Sequence, residues 1–336
     1  MSRSLAPPFR SPFWLPGGNA QSIWPLLIKG SLPDYRRERW ESPDGDFIDL
    51  DWIDGRPGMP CVVLFHGLEG SSRSHYARRL MHTIKARNWH GVVVHFRGCS
   101  GEPNRLPRAY HSGDSAEIDW VLRRLSGQGW PALFATGVSL GGNALLKWLA
   151  EQGAAAGTVI TAAAAISAPL DLAAANVQLS QGFGLIYARH FLRTLIPVAL
   201  AKEKRFPGLI DTRRVIASRT LRAFDDAVTA PLHGFDGVEE YYARSSAGPL
   251  LSGITLPTLL LHAANDPFLP RSALPSKDSL PVGVSLEITQ GGGHVGFVHG
   301  LPPGRMDWLS ERILTHFYGQ LDTQFFSAAP SHDRMP

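Results

Sequence analysis

The chain has 336 residues, of which 44% are hydrophobic and 18% charged, and its formal net charge at pH 7 is +4. These values are ordinary for a globular protein, and the length suits one large α/β core that carries an insertion. Because the Lys and Arg residues are scattered and accompany no nucleic-acid-binding motif, we expect no nucleic-acid partner, whereas transient contact with a membrane surface stays open.

The first part of the chain predicts an arm followed by a β-hairpin. Residues 1–35 are punctuated by Pro and Gly, as in an irregular arm. Residues 36–42 and 46–53 alternate in polarity on either side of the turn sequence Pro43-Asp44-Gly45. This pattern favours two antiparallel strands.

Buried strands and helices then alternate along the chain. The run Cys61–Phe65 is continuously apolar, as expected for a strand that is buried on both faces. The spacing is that of βαβ units, so we expect an α/β fold with a mostly parallel central sheet and helices on both faces. The predicted strands are residues 61–65, 91–95, 133–136 and 159–166, and the predicted helices are residues 74–87, 114–125 and 140–151.

This alternation is interrupted once. Residues 170–250 lack a strand pattern and contain short helical pieces that are broken by prolines such as Pro197. A parallel sheet that is interrupted and then completed indicates a core with a helical cap. We therefore predict an arm at residues 1–35, a core at 36–169 and 251–322 that includes strands at 256–262 and 284–289 and a helix at 304–318, a cap at 170–250 and a C-terminal tail at 323–336.

A candidate nucleophile lies between a predicted strand and a predicted helix. The segment Gly137-Val138-Ser139-Leu140-Gly141 matches the pattern G-x-S-x-G, which by itself is a weak signal. Here its context is the strand, turn and helix of a nucleophile elbow, so Ser139 is the candidate nucleophile. The alternative is a glycine-rich turn whose serine only caps the helix.

A serine hydroxyl needs a base, and an elbow requires an acid and then a histidine later in the chain. Asp266 and His294 each come directly after one of the returning strands, and three glycines precede His294. These two residues are the candidate acid and base. Asp171 also follows a strand and remains an alternative acid, whereas His299 lacks the glycines that let a loop turn sharply.

Stabilisation of an oxyanion requires two backbone N–H donors. The candidates are Leu140, directly after the nucleophile, and Leu68, in the loop after the strand at residues 61–65. We also expect His66 and Gly67 to line the substrate site, with His66 holding the loop rather than taking part in the chemistry. Phe191 in the cap is expected to line an acyl pocket, and packing alone is the alternative.

Several long motifs are spread over nearly the whole chain: Asn19–Trp24, the loop that begins at His66, His95–Asn104, Tyr110–Asp114, Ser139–Trp148, Phe224–Phe235 and Gly292–Phe297. Together they resemble the YheT-like branch of the α/β-hydrolase fold superfamily. The resemblance implies that fold, the same three site residues and hydrolysis of carboxylic esters, such as short- to medium-chain acyl esters or acylglycerols. Acyl transfer on the same residues and hydrolysis of phospholipids or other lipids stay open.

Neither a cofactor nor a metal is expected. Asp225 and Asp226 are adjacent carboxylates without a histidine cluster, so we predict structural roles for them. Arg97 and Asp114 are predicted to hold a loop by charge-assisted hydrogen bonds, with substrate orientation as the alternative.

The expected compartment is the cytoplasm. Two cysteines, Cys61 and Cys99, are too few for a disulfide framework, which favours a reducing environment. Residues 1–16 contain four prolines and no apolar run, so neither a signal peptide nor a membrane anchor is predicted there. The oligomeric state is not predicted.

Overall fold

In the computed structural model, which describes residues 7–28 and 30–327, eight strands form one sheet. They are β1 (Arg36–Glu41), β2 (Phe47–Ile53), β3 (Cys61–Phe65), β4 (His90–Val94), β5 (Leu133–Val138), β6 (Ala162–Ile166), β7 (Thr258–Ala263) and β8 (Val284–Thr289). Their order across the sheet is β1-β2-β4-β3-β5-β6-β7-β8. The pairs β1–β2 and β2–β4 are antiparallel and all later pairs are parallel, which confirms the predicted hairpin and the mostly parallel α/β sheet.

Helices pack on both faces of this sheet. Within the described residues they are α1 (Gly18–Leu27), α2 (His75–Ala86), α3 (Ser115–Ser126), α4 (Leu140–Gln152), α5 (Leu172–Leu179), α6 (Gly184–Arg205), α7 (Thr212–Ala217), α8 (Leu221–Phe224), α9 (Ala230–Leu232), α10 (Val238–Ser245) and α11 (Trp308–Ser327). In β3, Val63 packs with α3 and α4, whereas Val62 and Leu64 pack with α2 and α11. Burial on both faces explains why this strand is apolar at every position.

The predicted irregular arm contains a helix. Helix α1 is short and includes Pro25, and its Gln21 and Ser22 are buried. Trp24 packs on Val298 and Met306, which lie near the other end of the chain. Helix α1 is therefore stabilised by tertiary contacts that its own sequence does not reveal. Residues 1–6 and 29 of the predicted arm lie outside the described residues.

The predicted cap, residues 170–250, is helical and lies between β6 and β7. The prediction that Pro197 breaks its helices is wrong, because α6 continues through this residue. Pro197 is exposed, so water can bind the backbone carbonyl that loses its helical partner. Leu192 of α6 belongs to an apolar cluster within the cap, and this cluster is distinct from those on the two faces of the sheet. The division into arm, core, cap and tail stays a prediction.

Two element boundaries differ from those predicted. Strand β6 begins later than residue 159, because Val159 and Ile160 still donate their N–H groups to Ala156 of the preceding 3₁₀ turn. Helix α11 extends to Ser327, so the predicted tail at residues 323–336 begins as helix, and residues 328–336 lie outside the described part of the chain. None of the helices in residues 7–28 and 30–327 is both long and apolar enough to cross a membrane.

Candidate active site

Ser139 stands on a sharp turn between β5 and α4. Its φ of 52° and ψ of −119° lie where residues with a side chain are rarely found. The Ser139 N–H donates to the carbonyl oxygen of Ile166 at 2.8 Å, which ties the turn to β6. A Cβ on Gly137 would lie 2.4 Å from the carbonyl oxygen of Gly141, and a Cβ on Gly141 would lie 2.5 Å from that of His66. The two glycines of the motif therefore permit backbone contacts that no other residue would allow.

Three of the predicted site residues meet at the carboxyl edge of the sheet. His294 Nε2 lies 3.0 Å from Ser139 Oγ, and His294 Nδ1 lies 2.9 Å from Oδ2 and 3.1 Å from Oδ1 of Asp266. Asp266 also accepts the N–H of Phe268 at 2.8 Å. Because a carboxylate accepts hydrogen bonds, this geometry suits the tautomer in which Nδ1 donates to Asp266 and Nε2 accepts the hydroxyl of Ser139.

The alternative acid and base are engaged elsewhere. Asp171 caps α5 by accepting the N–H of Ala174 at 2.9 Å. His299 Nε2 lies 2.7 Å from a carboxylate oxygen of Asp307. In the described part of the chain, Asp171 makes no hydrogen bond to His294, and His299 makes none to Ser139.

The loop after β3 passes beside Ser139. A Cβ on Gly67 would lie 3.2 Å from Ser139 Cβ, and the Gly67 N–H donates to the Tyr76 hydroxyl at 2.9 Å. Among the described residues, no acceptor meets the N–H groups of Leu68 and Leu140. These two donors remain available beside the serine.

His66 lies behind this loop rather than in the lining of the site. Its ring is fully buried, Nδ1 donates to the carbonyl oxygen of Gly67 at 2.7 Å, and Nε2 accepts the N–H of Phe96 at 3.1 Å. Burial lowers the pKa of His66 to about 3, so the ring is neutral. The expected substrate contact of His66 is corrected accordingly, because both ring nitrogens already have backbone partners.

Two residues of α1 hold the loop that carries His294. The His294 N–H donates to Ser22 Oγ at 2.7 Å, and the Gly292 N–H donates to Gln21 Oε1. Sequence reasoning missed this contact, since Ser22 and His294 are separated by 272 positions. One signal could have found it, because Asn19–Trp24 is among the motifs that carry the family resemblance.

Aromatic rings connect the cap to the candidate base. The Phe268 ring stacks on His294, with centroids 4.0 Å apart and an interplanar angle of 11°. Tyr187 and Phe191, both on α6, lie 4.6 Å and 6.1 Å from Phe268 between ring centroids. Phe191 therefore contacts the ring that covers His294, and its place in an acyl pocket stays a prediction.

Arg97 and Asp114 make contacts within the fold. The buried guanidinium of Arg97 pairs with Asp44 at 2.7 Å and with Glu117. Asp114 caps α3 and pairs with Arg108. These contacts support the structural interpretation of both residues.

Asp225 and Asp226 join helices of the cap. Asp225 accepts hydrogen bonds from the hydroxyls of Thr229 and Tyr242, and burial raises its pKa to about 6. Asp226 pairs with Arg214 of α7. Across the described ranges, no three His, Cys, Asp or Glu side chains are grouped as metal ligands would be.

The chain is similar to known α/β hydrolases. Residues 60–301 match the family model described as alpha/beta hydrolase fold. "Putative esterase YheT" of Escherichia coli (strain K12) is 42% identical over 282 residues, which cover 82% of this chain and 82% of that protein. "Phospholipase ABHD3" of Homo sapiens is 28% identical over 316 residues, which cover 90% of this chain and 76% of that protein. The crystal structure of a bacterial membrane phospholipase A aligns with a TM-score of 0.53 and 18% identity over 91% of this chain and 90% of that chain, a likeness of fold alone.

Proposed function

The chain belongs to the YheT-like branch of the α/β-hydrolase fold family, and on that premise we propose that it is a serine hydrolase that cleaves carboxylic esters. The observation that carries the proposal is a continuous series of hydrogen bonds. It runs from Asp266 to His294 over 2.9 Å and from His294 to Ser139 over 3.0 Å. Such a series makes a serine hydroxyl nucleophilic.

Each of the three residues has one task in the proposed reaction. Ser139 Oγ attacks the ester carbonyl carbon while Nε2 of His294 takes the hydroxyl proton. The buried carboxylate of Asp266 stabilises the imidazolium ion that results. His294 then gives this proton to the leaving alcohol, and the acyl group stays on Ser139 as an ester. A water molecule then loses a proton to the same nitrogen and attacks the acyl carbon. The bond from that carbon to Ser139 Oγ breaks, His294 returns the proton to Oγ, and the carboxylic acid leaves.

The N–H groups of Leu68 and Leu140 are the proposed donors to the oxyanion. Leu140 directly follows Ser139, and Leu68 directly follows Gly67, on which a Cβ would lie 3.2 Å from Ser139 Cβ. Neither N–H group meets an acceptor among the described residues. Leu140 is also the first residue of α4, so the partial positive charge of the helix N-terminus adds to the stabilisation of a negative oxygen. Because the backbone already holds these donors in place, no reorganisation is needed when the charge develops.

We propose short- to medium-chain acyl esters or acylglycerols as the substrate class. The apolar ring of Phe268 stacks on the candidate base and that of Phe191 contacts Phe268, which suits an acyl chain better than a charged group. Phospholipid hydrolysis is the second candidate, because a relative that aligns over 90% of this chain is named a phospholipase. A panel of esters of increasing chain length, together with monoacylglycerols and phosphatidylcholine, separates these classes by the product released. Added alcohol in the same assay detects acyl transfer as a new ester.

A fluorophosphonate probe tests the nucleophile. We expect the probe to label the native protein at Ser139 and to leave Ser139→Ala unlabelled, with a loss of turnover on the order of 10⁴–10⁶. Ser167→Ala is a matched control, because Ser167 is also buried at the end of a neighbouring strand and has a φ of 50°. The control should keep its labelling. Persistent labelling of folded Ser139→Ala, checked by circular dichroism, would remove Ser139 from this role.

A further inference from the structure

Helix α6 carries apolar side chains on the face that points away from the protein. Its inner face buries Ala188, Leu192 and Ala199. On the opposite face, Phe183, which directly precedes the helix, is 43% exposed and Ile186 is 53% exposed. Large apolar side chains at consecutive turns of an exposed helix face indicate an interaction surface rather than a solvated one.

Cationic side chains continue this outer face. Arg189 and Arg193 are exposed, and in the described part of the chain neither guanidinium has a hydrogen-bond or ion-pair partner. Glu203 is the single acid in α6, and its carboxylate accepts N–H groups from Gly208, Leu209 and Ile210. The outer face therefore carries unbalanced positive charge beside exposed apolar side chains.

The apolar end of this face leads to the candidate active site. The rings of Phe183 and Tyr187 lie 5.6 Å apart, and those of Tyr187 and Phe268 lie 4.6 Å apart. Phe268 in turn stacks on His294 with centroids 4.0 Å apart. A series of four rings thus connects the outer face of α6 with the proposed catalytic base.

We propose that the α6 surface, defined by Phe183, Ile186, Arg189 and Arg193, docks on an anionic phospholipid bilayer. Lipid phosphates can pair with the two guanidinium groups, and Phe183 and Ile186 can insert at the boundary between the headgroups and the acyl chains. A second copy of this chain fits less well, because it would bring four like charges together. Delivery of an ester from the bilayer along the ring series rests on the proposed function, whereas the docking itself does not.

Vesicle sedimentation with full-length Ser139→Ala tests the docking without hydrolysis of the lipid. The vesicles are phosphatidylcholine alone or phosphatidylcholine mixed with phosphatidylglycerol. We expect binding to the mixed vesicles, weaker binding to phosphatidylcholine, and a decline as salt is added, since salt screens the attraction. Equal binding to both vesicles at every salt concentration, or binding to neither, would overturn the proposal.

Matched pairs of variants locate the surface. Arg189→Glu combined with Arg193→Glu should weaken binding to the mixed vesicles by roughly 30-fold or more, because each arginine near a lipid surface contributes about fivefold. Ile186→Asp, which removes an apolar contact with the bilayer, should also weaken binding to the mixed vesicles. Arg56→Glu is the control for the two arginine substitutions, and Val282→Asp is the control for Ile186→Asp. Arg56 and Val282 are exposed and precede β3 and β8, so they lie at the sheet edge opposite Ser139. Controls that weaken binding as much as the α6 variants would contradict the assigned surface.

Two further readouts separate this proposal from the proposed function. If the native enzyme hydrolyses a soluble ester but does not bind vesicles, the proposed membrane docking is wrong and the proposed esterase activity is supported. If it binds mixed vesicles through α6 but hydrolyses no ester, the proposed membrane docking is supported and the proposed function is wrong. Sedimentation velocity gives the last outcome: a dimer that Ile186→Asp dissociates, without vesicle binding, would assign the surface to a second copy.

Discussion

The predicted core and the predicted cap of this protein are stabilised by different kinds of contact. In the core, the turn at Ser139 and the start of α4 pack so closely on each other and on the end of β3 that Gly137 and Gly141 have no room for a Cβ. The cap packs its own apolar cluster around Leu192, with Leu68 and Phe268 of the core against it, and it also joins the core through side-chain hydrogen bonds. For example, Lys202 Nζ donates to Asn104 Oδ1 at 2.8 Å and to the carbonyl oxygen of Leu106 at 3.0 Å.

Because of this difference, we assign different tasks to the core and to the cap. The core holds Ser139, the proposed nucleophile, in place by backbone geometry, and such geometry tolerates almost no substitution. The cap approaches the site through side chains such as Tyr187 and Phe191, which can change without moving Ser139. We therefore expect substitutions in the core site to abolish the chemistry and substitutions in the cap to alter which substrate is preferred.

After loss of the proposed nucleophile, replacement of the proposed acid should have the largest effect. Asp266→Asn keeps an oxygen for the Phe268 N–H but no longer holds His294 in the tautomer that accepts a proton, so kcat should fall by about 10⁴. Asp171→Asn, in the cap, is the matched control and should change kcat little. Steady-state kinetics on a soluble ester and the melting temperature are measured for both variants. A larger loss of kcat in Asp171→Asn than in Asp266→Asn would assign the acid role to Asp171 in the cap. It would contradict the expectation that the chemistry depends on the core alone.

The next largest loss of activity is expected from a substitution in the predicted arm. Ser22→Ala leaves the N–H of His294 without its acceptor, which costs about 1–3 kcal/mol and lets the loop shift. We expect kcat to fall by roughly tenfold with little change in KM, because the base rather than the substrate is displaced. Ser22→Thr keeps a hydroxyl and should restore most of the activity. A variant that loses stability but keeps its full kcat would show that Ser22 supports the fold alone.

A cap substitution should change specificity instead. Under the pocket interpretation, Phe191→Ala alters the preference among p-nitrophenyl esters of increasing chain length, since each buried methylene contributes about fourfold in kcat/KM. Leu192→Ala is the adjacent control: Leu192 is buried in the cap cluster, so this change should lower the melting temperature and leave the preference alone. If Phe191→Ala behaves like Leu192→Ala, Phe191 only packs.

The smallest effect is expected for the stability of the cap as a function of pH. Burial raises the pKa of Asp225 from its usual 3.8 to about 6, so the folded state favours the protonated carboxyl. The stabilisation from this proton is complete below the usual pKa and is lost as the pH rises through about 6. Asp225→Asn stays neutral, so its melting temperature should decline less than that of the native protein between about pH 4 and pH 7. Calorimetry checks this, with the more exposed Asp226→Asn as control, and equal declines in all three proteins would contradict the expectation.

Local patterns in the sequence were enough to predict most of the core and the three residues that meet at its edge. The continuous apolar run Cys61–Phe65 predicts a buried strand, because neither of its faces can meet water. The position of Ser139 between a strand and a helix predicts the elbow, and the strands that precede Asp266 and His294 bring both to the same edge as Ser139. Parallel strands end at one edge, so order along the chain is sufficient for this inference.

Only the tertiary structure decided which residues surround those three. Ser22 contacts the His294 loop across 272 positions, and the ring of Phe268 stacks on His294 although nothing in its neighbourhood marks it as different from a packing residue. The burial of His66 behind its loop likewise depends on Phe96, which lies on another segment. Contacts of this kind leave no periodic pattern, because each joins single residues whose neighbours in the sequence face elsewhere. Secondary structure follows from the solvent exposure of a strand or helix as a whole, whereas these contacts exist only once distant segments have packed.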